Sequence, residues 1–197
     1  MPEPAINEII VAGRRLAGRG LVCAHSGNIS CRLGPQTVLI TASGVYKGNL
    51  TEQDILCIDY QGRVLGAAAA GRRPSTESGL HLALYEGYPQ IAAIVHAHPP
   101  YATALAVTGR EVDWQMLEES ALFLGAVARV GRWPAGSMGL AQAAAAAAKG
   151  ANALLLAGHG AVSWGANIEQ ALCRLEILEH TAQVMLLSSL WEGVKQP

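Results

Sequence analysis

Five stretches of the chain carry the patterns of helices. Residues 3–19 and 167–191 repeat apolar side chains every three or four positions, which aligns them on one helical face. A third helix is predicted to start at Pro74-Ser75 and a fourth at the prolines of PPYATALAVTG. The fifth is the alanine-rich GLAQAAAAAAKG, because alanine is the strongest helix former.

Short apolar runs bounded by turn-forming residues predict strands between these helices. Two strands follow the turn formers of CAHSGN and Gly34-Pro35. A third strand follows the acidic TEQD, and a further one follows the Gln61-Gly62 turn. The remaining strands are predicted in IAAIVHAH, in ALFLGAVARVG and on both sides of GHG in ANALLLAGHGAVSWG. Because strands and helices are interspersed, helices are expected to cover a central sheet.

Composition narrows the class of protein. The 197 residues are predicted to form one domain, 1–197. Hydrophobic residues make up 51% and charged residues 15%, which reflects either the many alanines or apolar surface buried between subunits. A net charge of −1 provides no basic surface for nucleic acid or membrane, and no apolar segment is long enough to cross a bilayer. With no signal-peptide pattern and no CxxC spacing, the chain is predicted to be cytoplasmic, with reduced thiols.

His96 and His98 lie one residue apart at the end of a predicted strand. Side chains alternate between the faces of a strand, so both imidazoles should point the same way, as in half of a metal site. His159, held between two glycines after another apolar run, is the candidate third ligand, and Glu77 is the candidate carboxylate. Taken singly, these residues also fit ordinary roles: a packed core histidine, a tight turn, or a charge at a helix N-terminus.

The other histidines are weaker candidates. His25 lies in a polar loop that could line the site, and His180 is expected at a surface or an interface. His81 follows Glu77 by four residues and is expected to make a structural hydrogen bond rather than bind metal. Three imidazoles with one open position are typical of catalytic zinc, with Mn²⁺, Fe²⁺ or Co²⁺ as alternatives.

Three loops are rich in small hydrogen-bonding residues. Glycine lets backbone N–H groups approach an anion, hydroxyl groups donate, and the N-terminus of a helix favours negative charge. Each loop alone is ordinary turn chemistry, but together they predict a phosphate site. Its candidate residues are Ser26, Gly27, Asn28, Ser43, Gly44, Ser75 and Thr76. Neither a P-loop nor a GxGxxG pattern is present, so a nucleotide is not implied.

The ordered motifs SGNIS, LITASG, PSTE, HAHP and GHG resemble those of the class II aldolase/adducin family, over nearly the whole chain. The resemblance implies a three-layer α/β/α fold around a mixed, mostly antiparallel sheet. It also implies a homotetramer with active sites between neighbouring subunits. In such a site His96, His98 and His159 would bind zinc, and Glu77 would act as acid/base and could also coordinate the metal. The sugar phosphate would be held by Asn28, Ser43, Gly44, Ser75 and Thr76.

One stretch departs from the fuculose-phosphate aldolases of that family, in which a tyrosine reaches across from the next subunit. WQMLEESALFLG has no tyrosine but offers Glu118 and Glu119. A glutamate there resembles the family's methylthioribulose-phosphate dehydratases and several of its aldolases of other specificity. One of these glutamates is therefore a candidate catalytic base, and the alternative is a solvated helix start.

The leading functional expectation is a zinc-dependent aldolase. It would cleave a ketose 1-phosphate, such as a fuculose, deoxyribulose or methylthioribulose phosphate, into dihydroxyacetone phosphate and an aldehyde. Dehydration of methylthioribulose 1-phosphate is the main alternative, with 4-epimerisation and decarboxylation also open. A non-enzymatic scaffold, as in adducin, ranks last.

Overall fold

A computed structural model describes residues 3–66, 69–110 and 112–193. Within these residues, seven strands and five α-helices follow one another. The strands are β1 (Asn28–Gly34), β2 (Thr37–Thr41), β3 (Ile55–Asp59), β4 (Ala93–Ala97), β5 (Val127–Val130), β6 (Ala153–Leu156) and β7 (Gly160–Gly165). The helices are α1 (Glu3–Gly18), α2 (Ser78–Gly87), α3 (Pro100–Thr108), α4 (Met138–Ala147) and α5 (Ile168–Gly193). In the described part of the chain, no helix is both long and apolar enough to span a membrane.

The strands form one sheet in the order β3-β2-β1-β4-β7-β6-β5. All neighbouring pairs are antiparallel except β5 and β6, which run parallel. The predicted mixed, mostly antiparallel sheet is therefore confirmed. The central strands β1, β4 and β7 are remote in sequence but adjacent in space, and this adjacency positions the candidate site.

Helices cover both faces of the sheet, as the three-layer prediction requires. Alternate residues of β4 enter two separate apolar cores: Ala93, Val95 and Ala97 pack with α1, α3 and α5, whereas Ile94 packs with α2 and α4. A strand buried on both faces explains the unbroken apolar run AAIV before His96. Each fully buried aliphatic side chain contributes about 1.5–3 kcal/mol, so both layers stabilise the strand ends that hold the site.

Two local predictions were wrong, and a third was confirmed in part. The strand expected after Gln61-Gly62 is reduced to one isolated bridge between Ile58 and Val64. The strand predicted in ALFLGAVARVG is confirmed at Val127–Val130, whereas Ser120–Leu124 forms a π-helical turn. Helix α2 begins at Ser78 instead of near Ser75, because Pro74 bridges to Ala42 and holds the preceding residues in an extended path.

Candidate metal and phosphate site

The candidate site lies where β1 begins, β4 ends and β7 begins. Antiparallel pairing places Asn28 of β1 opposite His96 of β4, and His96 opposite Val162 of β7. His98 follows β4 directly, and His159 lies in the turn that joins β6 to β7. The sheet topology thus brings three histidines from two distant segments close together.

The three predicted histidines come together with their ring nitrogens facing one another. The Nδ1 atom of His96 donates to the carbonyl of Ala161 at 2.9 Å, which leaves the Nε2 lone pair directed at the cluster. The Nε2 atoms of His96 and His98 are 3.3 Å apart. One ligand nitrogen from each of His96, His98 and His159 lies within 4.8 Å of the others.

Glu77 faces this cluster from the residue immediately before α2. Its Oε2 lies 3.1 Å from Nε2 of His96, and its Oε1 lies 3.2 Å from Nε2 of His159. The Oε2 atom also accepts a hydrogen bond from Nδ2 of Asn28 at 3.0 Å. The Oε1 atom is buried and accepts no hydrogen bond of good geometry from the described residues. A buried carboxylate oxygen without a donor is a costly arrangement unless a cation is bound nearby.

Burial and charge set the protonation states at this cluster. Burial, followed by repulsion from the neighbouring imidazoles, lowers the pKa of His98 to about 4 and also lowers that of His159. Burial raises the pKa of Glu77, but His96, His159 and Asn28 outweigh it and hold the pKa below its usual value. At neutral pH His98 and His159 are therefore neutral with free lone pairs, and Glu77 is a carboxylate.

A buried hydrogen-bond chain supports Glu77 from the protein interior. The Nδ2 atom of Asn28 donates to Glu77, so Oδ1 of Asn28 is an acceptor and must receive the Nε2 proton of His81. The Nδ1 atom of His81 then accepts from Ser30 Oγ at 2.7 Å, and Ser30 accepts from Tyr85 Oη at 2.8 Å. Burial lowers the pKa of His81 to about 3, which is consistent with this neutral tautomer. His81 thus makes the expected structural hydrogen bonds, although Asn28 separates it from Glu77.

The loops predicted to bind phosphate meet beside the histidines. The backbone N–H of Ser43 donates a hydrogen bond to the carbonyl of Arg73, and the backbone N–H of Ser75 donates one to the carbonyl of Thr41. These two bonds join the ASG loop to the PST loop. Gly27, with φ of 76°, lies so close to β4 that an added Cβ would be 2.7 Å from the His96 carbonyl oxygen. The cavity between these loops has a volume of about 100 Å³. It is lined by His25, Ser26, Gly27, Asn28, Ala42, Ser43, Gly44, Lys47, Ser75, Thr76, Glu77, His98 and His159.

Lys47 is a cavity residue that the sequence reasoning missed. It is 1% exposed, and Nζ donates to the carbonyls of Val45 at 2.6 Å and His25 at 3.3 Å. A lysine in the turn VYKGN is typical of a solvated surface charge, so the local pattern does not predict its burial. The available signal was its position three residues after the ASG motif in a chain with only three lysines.

Glu118 and Glu119 do not line this cavity within one chain. They lie just before the π-helical turn, and Oε1 of Glu119 is 3.5 Å from Nε2 of His180 on α5. His180 is about half exposed and is not one of the clustered histidines, as expected. Any contact of these glutamates with the site therefore requires a second copy of the chain.

Gly160 offers a test of how tightly the histidine cluster is packed. An added Cβ would lie 2.4 Å from the Ala97 carbonyl oxygen and 2.9 Å from Cδ2 of His98. Gly160→Ala is therefore expected to lower the free energy of unfolding by about 1–3 kcal/mol and to weaken metal binding by displacing His98. Chemical denaturation and metal titration measure the two effects.

Gly79→Ala in α2 is the control for this substitution. An added Cβ on Gly79 would have no described neighbour within 4 Å, so this variant should be more stable than the wild type by about 0.5–1 kcal/mol. Wild-type stability and affinity in Gly160→Ala would contradict the packing argument.

The sequence and fold of this chain match those of one family among known proteins. The family model for the class II aldolase and adducin N-terminal domain matches residues 7–186. A methylthioribulose-1-phosphate dehydratase from Methylococcus capsulatus is 36% identical, over 98% of this chain and 97% of that protein. An L-fuculose phosphate aldolase from Methanococcus maripaludis is 31% identical, over 86% of this chain and 88% of that protein.

A solved structure agrees with the sequence matches. The L-fuculose-1-phosphate aldolase from Thermus thermophilus superimposes with a TM-score of 0.85 and 30% identity, covering 98% of each chain. The family model spans the five motifs and all three clustered histidines. The chain therefore belongs to the class II aldolase and adducin N-terminal domain family.

Proposed function

We propose that this protein is a divalent-metal-dependent lyase acting on a ketose 1-phosphate, and that it dehydrates a substrate like methylthioribulose 1-phosphate. The observation that carries this proposal is the convergence of His96, His98 and His159 beside the buried carboxylate of Glu77. The hydroxyl- and glycine-rich loops that line the same cavity support a phosphate-binding role for its other end.

The residues present fit a divalent cation. Metal–nitrogen bonds of 2.0–2.1 Å in a tetrahedral site set ligand nitrogens roughly 3.3 Å apart, and the Nε2 atoms of His96 and His98 are separated by 3.3 Å. Neutral imidazoles, and a carboxylate oxygen to which no described residue donates a hydrogen bond, form a donor set suited to Zn²⁺, with Mn²⁺, Fe²⁺ or Co²⁺ as alternatives. When bound, such an ion polarises the substrate carbonyl and stabilises negative charge on the adjacent oxygen.

Glu77 is assigned the proton transfer next to the carbonyl. Its carboxylate is ionised at neutral pH, buried, and held in one orientation by Asn28, so it is prepared to accept a proton from C3 of the ketose. In dehydration the C3 proton leaves to a base and the C4 hydroxyl leaves as water after protonation. The resulting enol tautomerises to a diketone, and the carbon chain stays intact.

The opposite end of the cavity is assigned to the phosphate group. Ser43, Ser75 and Thr76 offer hydroxyl groups, and the start of α2 directs its positive end toward the same loops. The hydrogen bonds that join the ASG and PST loops preorganise these donors. A substrate anchored here by its 1-phosphate would extend its C2 carbonyl and C3 toward the histidines and Glu77.

Two observations favour dehydration over carbon–carbon cleavage. The dehydratases among the relatives reach 36% identity, compared with 31% for the fuculose phosphate aldolase. The segment before the π-helical turn supplies Glu118 and Glu119 where fuculose-phosphate aldolases carry a tyrosine. We assign one of these glutamates, from a neighbouring copy of the chain, to protonate the departing C4 hydroxyl. Exposed apolar side chains near the end of α5 support such an assembly: Leu186, Leu187, Leu190 and Trp191.

Retro-aldol cleavage is the second candidate. The overlay with the Thermus thermophilus aldolase over 98% of the chain supports it. In that reaction Glu118 or Glu119 would remove the C4 hydroxyl proton, and the C3–C4 bond would break. Glu77 would have to enter this reaction in its protonated form, and it would transfer that proton to C3 of the resulting enediolate. The same residues therefore serve both reactions, and the fate of the C3–C4 bond distinguishes them.

Product analysis decides between the two reactions. Protein loaded separately with Zn²⁺, Mn²⁺, Fe²⁺ and Co²⁺ is incubated with methylthioribulose, fuculose, ribulose and deoxyribulose 1-phosphates. We expect a dehydrated diketone phosphate from methylthioribulose 1-phosphate, detected by mass spectrometry as a loss of water, without dihydroxyacetone phosphate. Formation of dihydroxyacetone phosphate and an aldehyde would instead establish that the protein is an aldolase. Failure of every substrate with every metal would contradict the proposed function.

A further inference from the structure

We propose that Lys47 is the residue that recognises the charge of the substrate phosphate and sets the preference for phosphorylated over unphosphorylated ketoses. The inference rests on the proposed function, because it assigns one more residue to the same phosphate cavity. Lys47 belongs to the cavity lining together with the SGN, ASG and PST loops.

The surroundings of Lys47 show why an anion is needed there. The side chain is 1% exposed, yet Nζ contacts only backbone carbonyls, those of Val45 and His25, among its described hydrogen-bond partners. An ammonium group has three protons, so two carbonyls leave one donor unused. Buried charges are ordinarily paired, and an unpaired one is costly.

The carboxylate that could serve as the counter-ion of Lys47 is already engaged elsewhere. Asp54 is the carboxylate that acts on Lys47 electrostatically, but it forms a 2.6 Å ion pair with Arg72 and accepts hydrogen bonds from Thr51. Burial lowers the pKa of Lys47 to about 8, so the group is still mainly protonated at neutral pH. A phosphate in the cavity would supply the missing negative charge and a strong acceptor for the unused N–H.

The cavity otherwise offers mainly neutral donors at its phosphate end. Ser43, Ser75 and Thr76 supply hydroxyl groups, which hydrogen-bond a phosphate and a neutral hydroxyl alike. A buried ammonium group discriminates between these two ligands because only the phosphate compensates its charge. The purely structural alternative is that Lys47 only ties the carbonyls of Val45 and His25 together.

Lys47→Gln separates these two roles, because glutamine retains an N–H donor for the carbonyls but carries no charge. Binding of inorganic phosphate is measured by calorimetry on metal-loaded and on chelator-treated protein, together with the melting temperature. We expect Lys47→Gln to bind phosphate about 10- to 100-fold more weakly with or without metal, the range for loss of one charge-assisted hydrogen bond. Lys149→Gln, at an exposed lysine after α4, should bind phosphate as the wild type does.

The outcomes distinguish this inference from the proposed function. If the wild type binds phosphate and Lys47→Gln binds it equally well, the role of Lys47 is wrong and the phosphate cavity stands. If the wild type binds no phosphate, the phosphate cavity itself is wrong, and Lys47 loses its ligand with it. In turnover assays we expect Lys47→Gln to raise KM for the phosphorylated ketose more than it lowers kcat.

A second measurement needs no substitution at Lys47. The chain has three lysines, Lys47, Lys149 and Lys195, so side-chain NMR of isotope-labelled lysine gives three signals. Lys149→Gln and Lys195→Gln each remove one signal and thereby assign the third to Lys47. Titration with inorganic phosphate should shift the Lys47 signal selectively and saturably. A phosphate-binding protein whose Lys47 signal does not move would overturn the inference.

Discussion

Replacing Glu77 by glutamine is expected to lower kcat by about 10²–10⁴-fold while the divalent metal stays bound. Glutamine has the same shape and can still accept a hydrogen bond from Asn28 through its carbonyl oxygen, so the histidine cluster should keep its geometry. The glutamine side chain cannot accept the proton from C3, so the variant lacks the general base. Steady-state kinetics at saturating metal, with metal content determined on the same sample, measure both parts of the prediction.

Glu86→Gln is the matched control for this substitution. Glu86 lies on the same helix, α2, but is exposed at the surface away from the cavity lining. Its replacement by glutamine changes the net charge by the same amount and should leave kcat within about twofold of the wild type, since exposed charges contribute little. Near-normal turnover by metal-loaded Glu77→Gln would contradict the assignment of Glu77.

Removing any one imidazole of the cluster is expected to weaken metal binding by more than about 100-fold. The variants are His96→Gln, His98→Gln and His159→Gln. Loss of an outer-shell partner alone costs about 10–100-fold in metal affinity, and loss of a ligand should cost more. Because metal binds the folded state, a chelator should lower the melting temperature of the wild type and have little further effect on the variants. Metal titration and thermal unfolding measure these effects.

His180→Gln controls for the loss of a histidine as such. His180 lies on α5 beside Glu119 and outside the cluster, so this variant should bind metal as the wild type does. If a single cluster variant retained wild-type metal affinity, that histidine would not be a ligand. If His180→Gln lost the metal as severely as the cluster variants, the loss could not be assigned to the three imidazoles.

The local sequence contained enough information to predict helices covering a central sheet and a pair of histidines on one face of a strand. His96 and His98 are separated by the period of a strand, and the glycines beside His159 permit the sharp turn into β7 that returns it to the same edge. The sheet order could not be derived from the spacing of residues, since β1, β4 and β7 pair across long sequence separations. The family resemblance implied the three layers and the mixed, mostly antiparallel sheet, and it did not specify the order of the strands.

Other features depended on tertiary contacts that no local pattern encodes. The segment ALFL is apolar enough for a strand but packs as a π-helical turn, because a short apolar run does not distinguish the two structures. The burial of Lys47 follows from the close approach of α1, where an added Cβ on Gly13 would lie 2.4 Å from the Lys47 carbonyl oxygen. The hydrogen-bond chain from Tyr85 to Glu77 likewise forms only after β1 and α2 have packed together.

The central claim is that three imidazoles from two distant segments hold one divalent cation. Anomalous diffraction from crystals grown with Zn²⁺, recorded on both sides of the zinc absorption edge, tests it most directly. The account predicts a single strong peak in each site, about 2.0–2.1 Å from the Nε2 atoms of His96, His98 and His159. A map without a peak at this position, or with zinc bound only by other residues, would contradict it.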